Sequence, residues 1–144
     1  MPGLAVRQFE EVDLLTHMVG RSIRQEAVRR DLDGLNALDP DLAVSACAPT
    51  AVIRYPGQAP MGVDEFRAYL EQVKTALADL QIAPREHFET EHGVAAAWSF
   101  TATTKAGRTV TCDGIDSWVI GAGGKIESVD VYYDPAPLVE ALQD

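Results

Sequence analysis

The sequence predicts an α+β fold, with helices first and an antiparallel sheet after them. Apolar residues at helical spacing fill the first quarter, and a second apolar stripe follows Asp64. From Ile82 onward, runs of alternating residues are cut by glycine turns.

From about Glu10 to Asn36, the residues Leu14, Leu15, Met18, Val19, Ile23, Ala27, Val28, Leu32 and Leu35 fall three or four apart, which is one face of a helix. Gly20 divides the stretch, so positions 1–21 are read as a helical N-terminal arm and 22–144 as one α+β domain. Asp39-Pro40 is a start signal, an N-cap followed by a first-turn proline, for a short helix through Ala46. Thr50 to Tyr55 reads as a strand, stopped by Pro56-Gly57. Asp64 and Glu65 suit the positive end of a helix dipole and open a long helix with Phe66, Tyr69, Leu70, Val73, Leu77 and Leu80 on its apolar stripe. The remainder is a meander: Ile82 to Thr90, Val94 to Thr104, Arg108 to Ile120 and Lys125 to Tyr133. Turns at His92-Gly93, Ala106-Gly107 and Gly121-Ala122-Gly123-Gly124 separate its strands; the last has no helix after it and reads as a hairpin turn, not a phosphate loop. Asp134-Pro135 repeats the cap-plus-proline signal and starts a final helix to Leu142.

With 144 residues, 47% of them hydrophobic, the chain suits one domain with a real core. A net charge of -10 argues against nucleic acid and anionic membrane surfaces as partners, because both demand clustered Lys and Arg. The N-terminal stretch carries Glu10 and Glu11 where a signal peptide would be apolar, and no run reaches the length of a membrane span, so a soluble cytoplasmic protein is expected. Cys47 and Cys112 have no metal-site spacing and read as reduced thiols, with a disulfide between them as the alternative. His17, His87 and His92 form no metal-spaced cluster, and cofactor-free chemistry is expected.

One carboxylate interrupts an apolar row. Val110, Cys112, Gly114, Asp116, Trp118 and Ile120 share one side of their strand, which points Asp116 inward. Keeping an Asp neutral there at neutral pH means raising its pKa by roughly three units, about 4 kcal/mol, a sizeable share of a domain's stability.

The element order, with Ala48-Pro-Thr-Ala-Val-Ile-Arg-Tyr-Pro-Gly57 on the first strand and Gly124-Lys-Ile-Glu-Ser-Val-Asp-Val-Tyr-Tyr-Asp134 on the last, resembles the nuclear transport factor-like superfamily, which includes ketosteroid isomerases and polyketide cyclases. That resemblance, over about Ser22 to Leu142, implies a cone: a curved sheet wrapped around helices, enclosing one apolar pocket, in a homodimer joined through the outer sheet face. Aligned with ketosteroid isomerases, Asp116 falls where that family keeps a protonated Asp in its oxyanion hole. The family's base position falls on Tyr55 and its helix Tyr on Asp31, so steroid isomerisation is not implied. The Asp-Arg-Asp set of limonene epoxide hydrolase would fall on Ser99, Ala97 and Val131, and a polyketide cyclase's base on Val131; none of these can do that work. The alignment also turns Ala97, Ser99 and Thr101 toward the cavity and Trp98 outward, whereas hydrophobicity alone puts Trp98 and Phe100 inside; the register of the resemblance is taken here.

The candidate catalytic residues are Asp116, as pocket acid or oxyanion donor, Asp31, as a base, and Tyr55, as a helper donor. Each has a plainer reading: Asp116 capped by backbone amides near Gly114, Asp31 solvated beside Arg29, Arg30 and Asp33, and Tyr55 as core packing. Trp118, Tyr133, Phe66, Tyr69, Val129, Val131 and Ser99 are expected to line the pocket. The expected function is a cofactor-independent cyclase, isomerase or hydratase/dehydratase acting on a hydrophobic oxygenated small molecule. The rival is a non-catalytic ligand-binding or assembly module of the same fold.

Overall fold

The computed structural model describes residues 23–143. The expected N-terminal arm, with His17 and the apolar positions before Ile23, lies outside the described residues, as does the boundary placed at 21/22.

Helix α1 covers residues 23–36 of the described chain. Ala27, Val28, Asp31, Leu32 and Leu35 are all buried, so the apolar stripe carries Asp31 inward with it. Arg29, Arg30 and Asp33 stay on the solvent face, where Arg29 pairs with Glu26 and, at 3.0 Å, with Asp33. The plainer reading of Asp31 as part of that solvated turn is therefore incorrect. Helix α2, Pro40–Val44, starts as expected: Asp39 accepts from the Leu42 amide at 3.2 Å and Pro40 occupies the first turn.

Strand β1, Cys47–Arg54, is followed by α3, Val63–Ala76, whose Glu65 carboxylate accepts from the Gly62 amide at 3.2 Å. That helix is shorter than its apolar stripe suggested. Leu77 is already extended, with φ -108° and ψ 139°, and begins β2, Leu77–Glu89. Leu77 and Leu80 still both face the core, because a register irregularity between Leu77 and Asp79 adds the residue that strand alternation lacks. Three-residue spacing thus fits a bulged strand as well as a helix.

Strands β3, Gly93–Thr104, β4, Thr109–Ile120, and β5, Ile126–Tyr132, complete the meander, and α4, Ala136–Leu142, closes the described chain. The Gly121–Gly124 segment is a hairpin turn: Gly124, at φ 80°, donates to the Gly121 carbonyl, a conformation costly for a side chain with a Cβ. The five strands lie in the order β1-β5-β4-β3-β2, with only the β1–β5 pair parallel. The sheet is curved and unclosed, and α1 and α3 contribute Ala27, Leu32, Phe66 and Leu70 to the buried core that it shares with them. Trp118, Phe66, Ile53 and Ile126 are the largest fully buried side chains, each worth about 1.5–3 kcal/mol of burial.

The register of β3 reverses the one taken from the resemblance. Val94, Ala96, Trp98, Phe100 and Ala102 are buried, while Ala97, Ser99 and Thr101 face outward. On that outer face Ser99 donates to Asp113 at 2.6 Å, and Thr101 and Thr103 meet Thr111 and Thr109 across the strands. Placing two large aromatic rings inside outweighs anything gained by burying Ser and Thr, and a one-residue slip would expose both rings.

Candidate active site

Asp116 sits mid-strand on β4, opposite Ala96 of β3 and Val131 of β5, and is 5% exposed. It faces a cavity of about 80 Å³ that is also walled by Tyr55, Tyr69, Trp98, Phe100 and Tyr133. Its Oδ1 is buried and has no hydrogen-bond partner among the described residues, so the expected alternative of backbone capping near Gly114 does not describe that oxygen. Burial raises the carboxyl to a pKa of about 7; the adjacent indole of Trp98 pulls the other way and the charge of Asp31 adds to the rise. Both protonation states are therefore populated near neutral pH.

Asp31 stands behind this wall. Its Oδ2 accepts from the Trp118 indole N–H at 2.9 Å, while Oδ1 is buried without a partner. Burial lifts its pKa to about 6, against the lowering effect of the Trp118 bond. It does not line the cavity, which corrects its expected role as a base in contact with a ligand. Its influence on the site is electrostatic, through Asp116.

Tyr55, at the end of β1, packs its ring 5.1 Å from Tyr69 and 5.9 Å from Phe66. Burial and the nearby Asp31 and Asp116 hold its phenol well above the usual range, so it is a donor and not a phenolate at neutral pH. Tyr69 and Tyr133 are likewise raised by burial. Of the expected lining residues, Tyr69, Val131 and Tyr133 reach the cavity. Trp118, Phe66 and Val129 instead belong to the packed core, and Ser99 faces away on the outer surface. The sequence reading missed Trp98 and Phe100, although their hydrophobicity signalled an inward position, and Leu138, which brings α4 to the cavity.

An open recess of about 430 Å³ adjoins this site and shares Tyr55, Val131 and Tyr133 with it. Arg54 lies in that recess, exposed and 3.3 Å from Asp130. A separate groove of about 410 Å³ between α1 and β2 is lined by Glu26, Arg29, Asp33 and His87, but no buried acid opens into it. Cys47 and Cys112 are both free thiols. Among the described residues no group of three or more His, Cys, Asp or Glu could hold a metal ion, and no helix is long and apolar enough to cross a membrane.

The SnoaL-like domain model matches residues 28–129, a window that holds the larger part of α1 together with Asp31, Tyr55 and Asp116. The chain belongs to the SnoaL-like domain family. This SnoaL-like domain is similar in structure to an NTF2-like protein of unknown function from Burkholderia pseudomallei, with 20% identity and a TM-score of 0.75 over 85% of this chain and 98% of that one. It is also similar to the BvnE pinacolase of Penicillium brevicompactum, with 17% identity and a TM-score of 0.74 over 85% and 94% of the two chains. A third likeness is to SalBIII, an epoxide hydrolase/cyclase-like enzyme with a role in pyran ring formation in the polyether salinomycin, at 23% identity and a TM-score of 0.68 over 79% and 92%. These structural likenesses establish the fold. No curated protein matches the sequence of this SnoaL-like domain.

Proposed function

We propose that this SnoaL-like protein is a cofactor-independent acid-base enzyme, a cyclase, isomerase or hydratase/dehydratase, acting on a hydrophobic oxygenated small molecule. The observation that carries the proposal is Asp116: a carboxyl with a free oxygen, buried at the wall of an aromatic cavity and held at a pKa of about 7. At that value one carboxyl gives a proton to a substrate oxygen and its conjugate base takes one back, which is the condition for efficient general acid-base catalysis. Tyr55 adds a second O–H donor at the junction of cavity and recess. The pinacolase and epoxide hydrolase/cyclase-like neighbours make oxygenated substrates the first class to test.

The test follows deuterium entering the α-carbon of an enolisable ketone in D₂O. Native protein is expected to accelerate exchange, and Asp116→Asn to lower the rate by roughly 100-fold or more with the fold intact. Equal rates for the two proteins would overturn the assignment.

A second reading is a non-catalytic ligand-binding module, favoured because Tyr55 stands where the resemblance puts a carboxylate base. The cavity of about 80 Å³ is well below the roughly 300–1,000 Å³ of ordinary ligand sites. Under the catalytic reading, a substrate enters by displacing Tyr55 and Tyr133 and joining cavity to recess. A ligand-induced gain in Tm that does not vary with pH would support the binding module, since linkage to a pocket acid requires variation.

We further propose a homodimer through the outer sheet face, where Ile115 and Tyr132 are paired across β4 and β5 and remain 50% and 60% exposed. Sedimentation is expected to give a dimer, and Ile115→Lys a monomer; a native monomer would refute it.

A further inference from the structure

Strand β1 stops short of its neighbour. Its last residue, Arg54, pairs with Asp130 of β5, and the chain then turns away at Pro56, where the Gln58 amide donates to the Tyr55 carbonyl at 3.2 Å. Strand β5 runs on through Val131 and Tyr132, held on its other side by Asp116 and Ile115 of β4. The gap left beside it is the open recess of about 430 Å³, which shares Tyr55, Val131 and Tyr133 with the cavity as common walls.

One cation stands in that gap. Among the described residues that line the cavity or the recess, Arg54 is the only Lys or Arg. Its Nη1 donates to Asp130 Oδ1 at 3.3 Å, the one hydrogen bond it makes among the described residues. A guanidinium carries five N–H donors in a flat fork, so four remain for an acceptor. A half-exposed ion pair of this kind adds little to the stability of the fold, so its place at the mouth is the informative feature. Asp130 also narrows which acceptor fits. It already balances Arg54, so a phosphate dianion would bring two further negative charges against it, whereas a carboxylate brings one and matches the fork with two oxygens. The net charge of -10 gives an anion no long-range attraction, so recognition has to be made by contact.

We infer that Arg54 is a specificity-determining residue, which takes the carboxylate of a substrate whose hydrophobic part occupies the cavity. The inference rests on the reading that a substrate joins cavity to recess by displacing Tyr55 and Tyr133, and it names the substrate class: hydrophobic carboxylic acids, with the acid at the end away from the cavity. Arg54 is remote from the part of the substrate inside. A bond made there fixes how far the hydrophobic part enters and which way it faces, and so limits the substrates that reach a reactive pose.

The experiment titrates the intact protein with ω-phenylalkanoic acids of increasing chain length and with their primary amides, which have the same shape and no charge. It is run at about pH 6, where a free carboxylic acid is ionised and Asp116, with its pKa of about 7, is largely neutral. At the best chain length the acid is expected to bind roughly tenfold more tightly than its amide. The preference should peak at one length, because the cavity and Arg54 are held apart by the fold. Nuclear Overhauser contacts from the phenyl protons to Phe100 should place the ring in the cavity. Arg54→Met, which keeps the apolar stem and removes the charge, should lower each acid to the affinity of its amide. No preference for the acid at any length, a preference that survives Arg54→Met, an equal fall of acid and amide in that variant, or a bound ring without contact to Phe100 overturns the inference. Amides that bind as well as the acids leave the joined site standing and remove only the role of Arg54; no binding by either series refutes both. Deuterium exchange is scored separately, so acid preference in a protein that catalyses no exchange would refute the enzyme and keep the role of Arg54.

Discussion

Replacing Asp116 with Asn is expected to stabilise the fold, by an amount that grows by on the order of 4 kcal/mol between about pH 4 and about pH 8. In the folded protein burial holds this carboxyl at a pKa of about 7, against an unfolded value of about 3.9. The folded state therefore binds more protons across that window. Whatever stability the neutral acid permits is present below about pH 4 and is lost as pH rises to about 7, because the unfolded carboxyl ionises freely in water while the apolar wall holds the folded one neutral, and above about 7 the loss is complete. Asparagine keeps the shape and carries no charge at any of these values. Asp31 is common to both proteins, so subtracting the two stabilities removes all of its contribution except its coupling to Asp116. Urea unfolding of both proteins at the two ends of the range reads the difference. A stability gain that is the same at both ends would show that Asp116 is solvated in the native state and would remove the physical basis of the proposed chemistry. The expected result means that the chain retains an acid that weakens its own fold near neutral pH, which is the pattern of a functional group and not of a structural one.

Asp116 was legible in the sequence because it is a lone carboxylate in an apolar strand row, and strand alternation fixes its direction without any tertiary information. The helix caps at Asp39 and Pro40 were legible for a similar reason, since their chemistry is local. The end of α3 was not. Leu77 and Leu80 satisfy a helical period, no Gly or Pro stops the helix, and the bulge that admits them to β2 is set by pairing with β3. Trp98 shows a different failure: its own hydrophobicity pointed inward, and a one-residue misalignment with distant relatives turned it outward. The Asp31–Trp118 bond joins residues 87 positions apart, so nothing local could announce it. What the stripe of α1 did show, once its neighbours Ala27, Val28, Leu32 and Leu35 were placed, was that Asp31 had to go inside with them.

That bond leads to the last expected result: Trp118→Phe should destabilise the protein by roughly 3–4 kcal/mol at about pH 8, well beyond what an ordinary conservative core change costs. Two effects combine. Trp118 is 1% exposed, so the smaller ring leaves a void, and its lost N–H leaves Asp31 buried with neither oxygen partnered. A hydrogen bond to a charged group contributes about 1.5–3 kcal/mol, and losing one partner leaves the other charge uncompensated. Because the indole lowers the pKa of Asp31, its removal should move that pKa upward from about 6, and ¹³C NMR of the carboxyl reads the move directly. A double-mutant cycle with Asp31→Leu separates bond from void, since the void remains when the acid is gone. The coupling is expected to be roughly 2 kcal/mol at about pH 8 and to shrink toward pH 4, where the carboxyl is neutral and the bond is weaker. Zero coupling at the higher pH would mean that Asp31 is held by something other than Trp118. It would also leave the electrostatic support of Asp116 by Asp31 without an anchor, because an unanchored carboxylate would turn toward water and its charge would no longer act at the cavity wall.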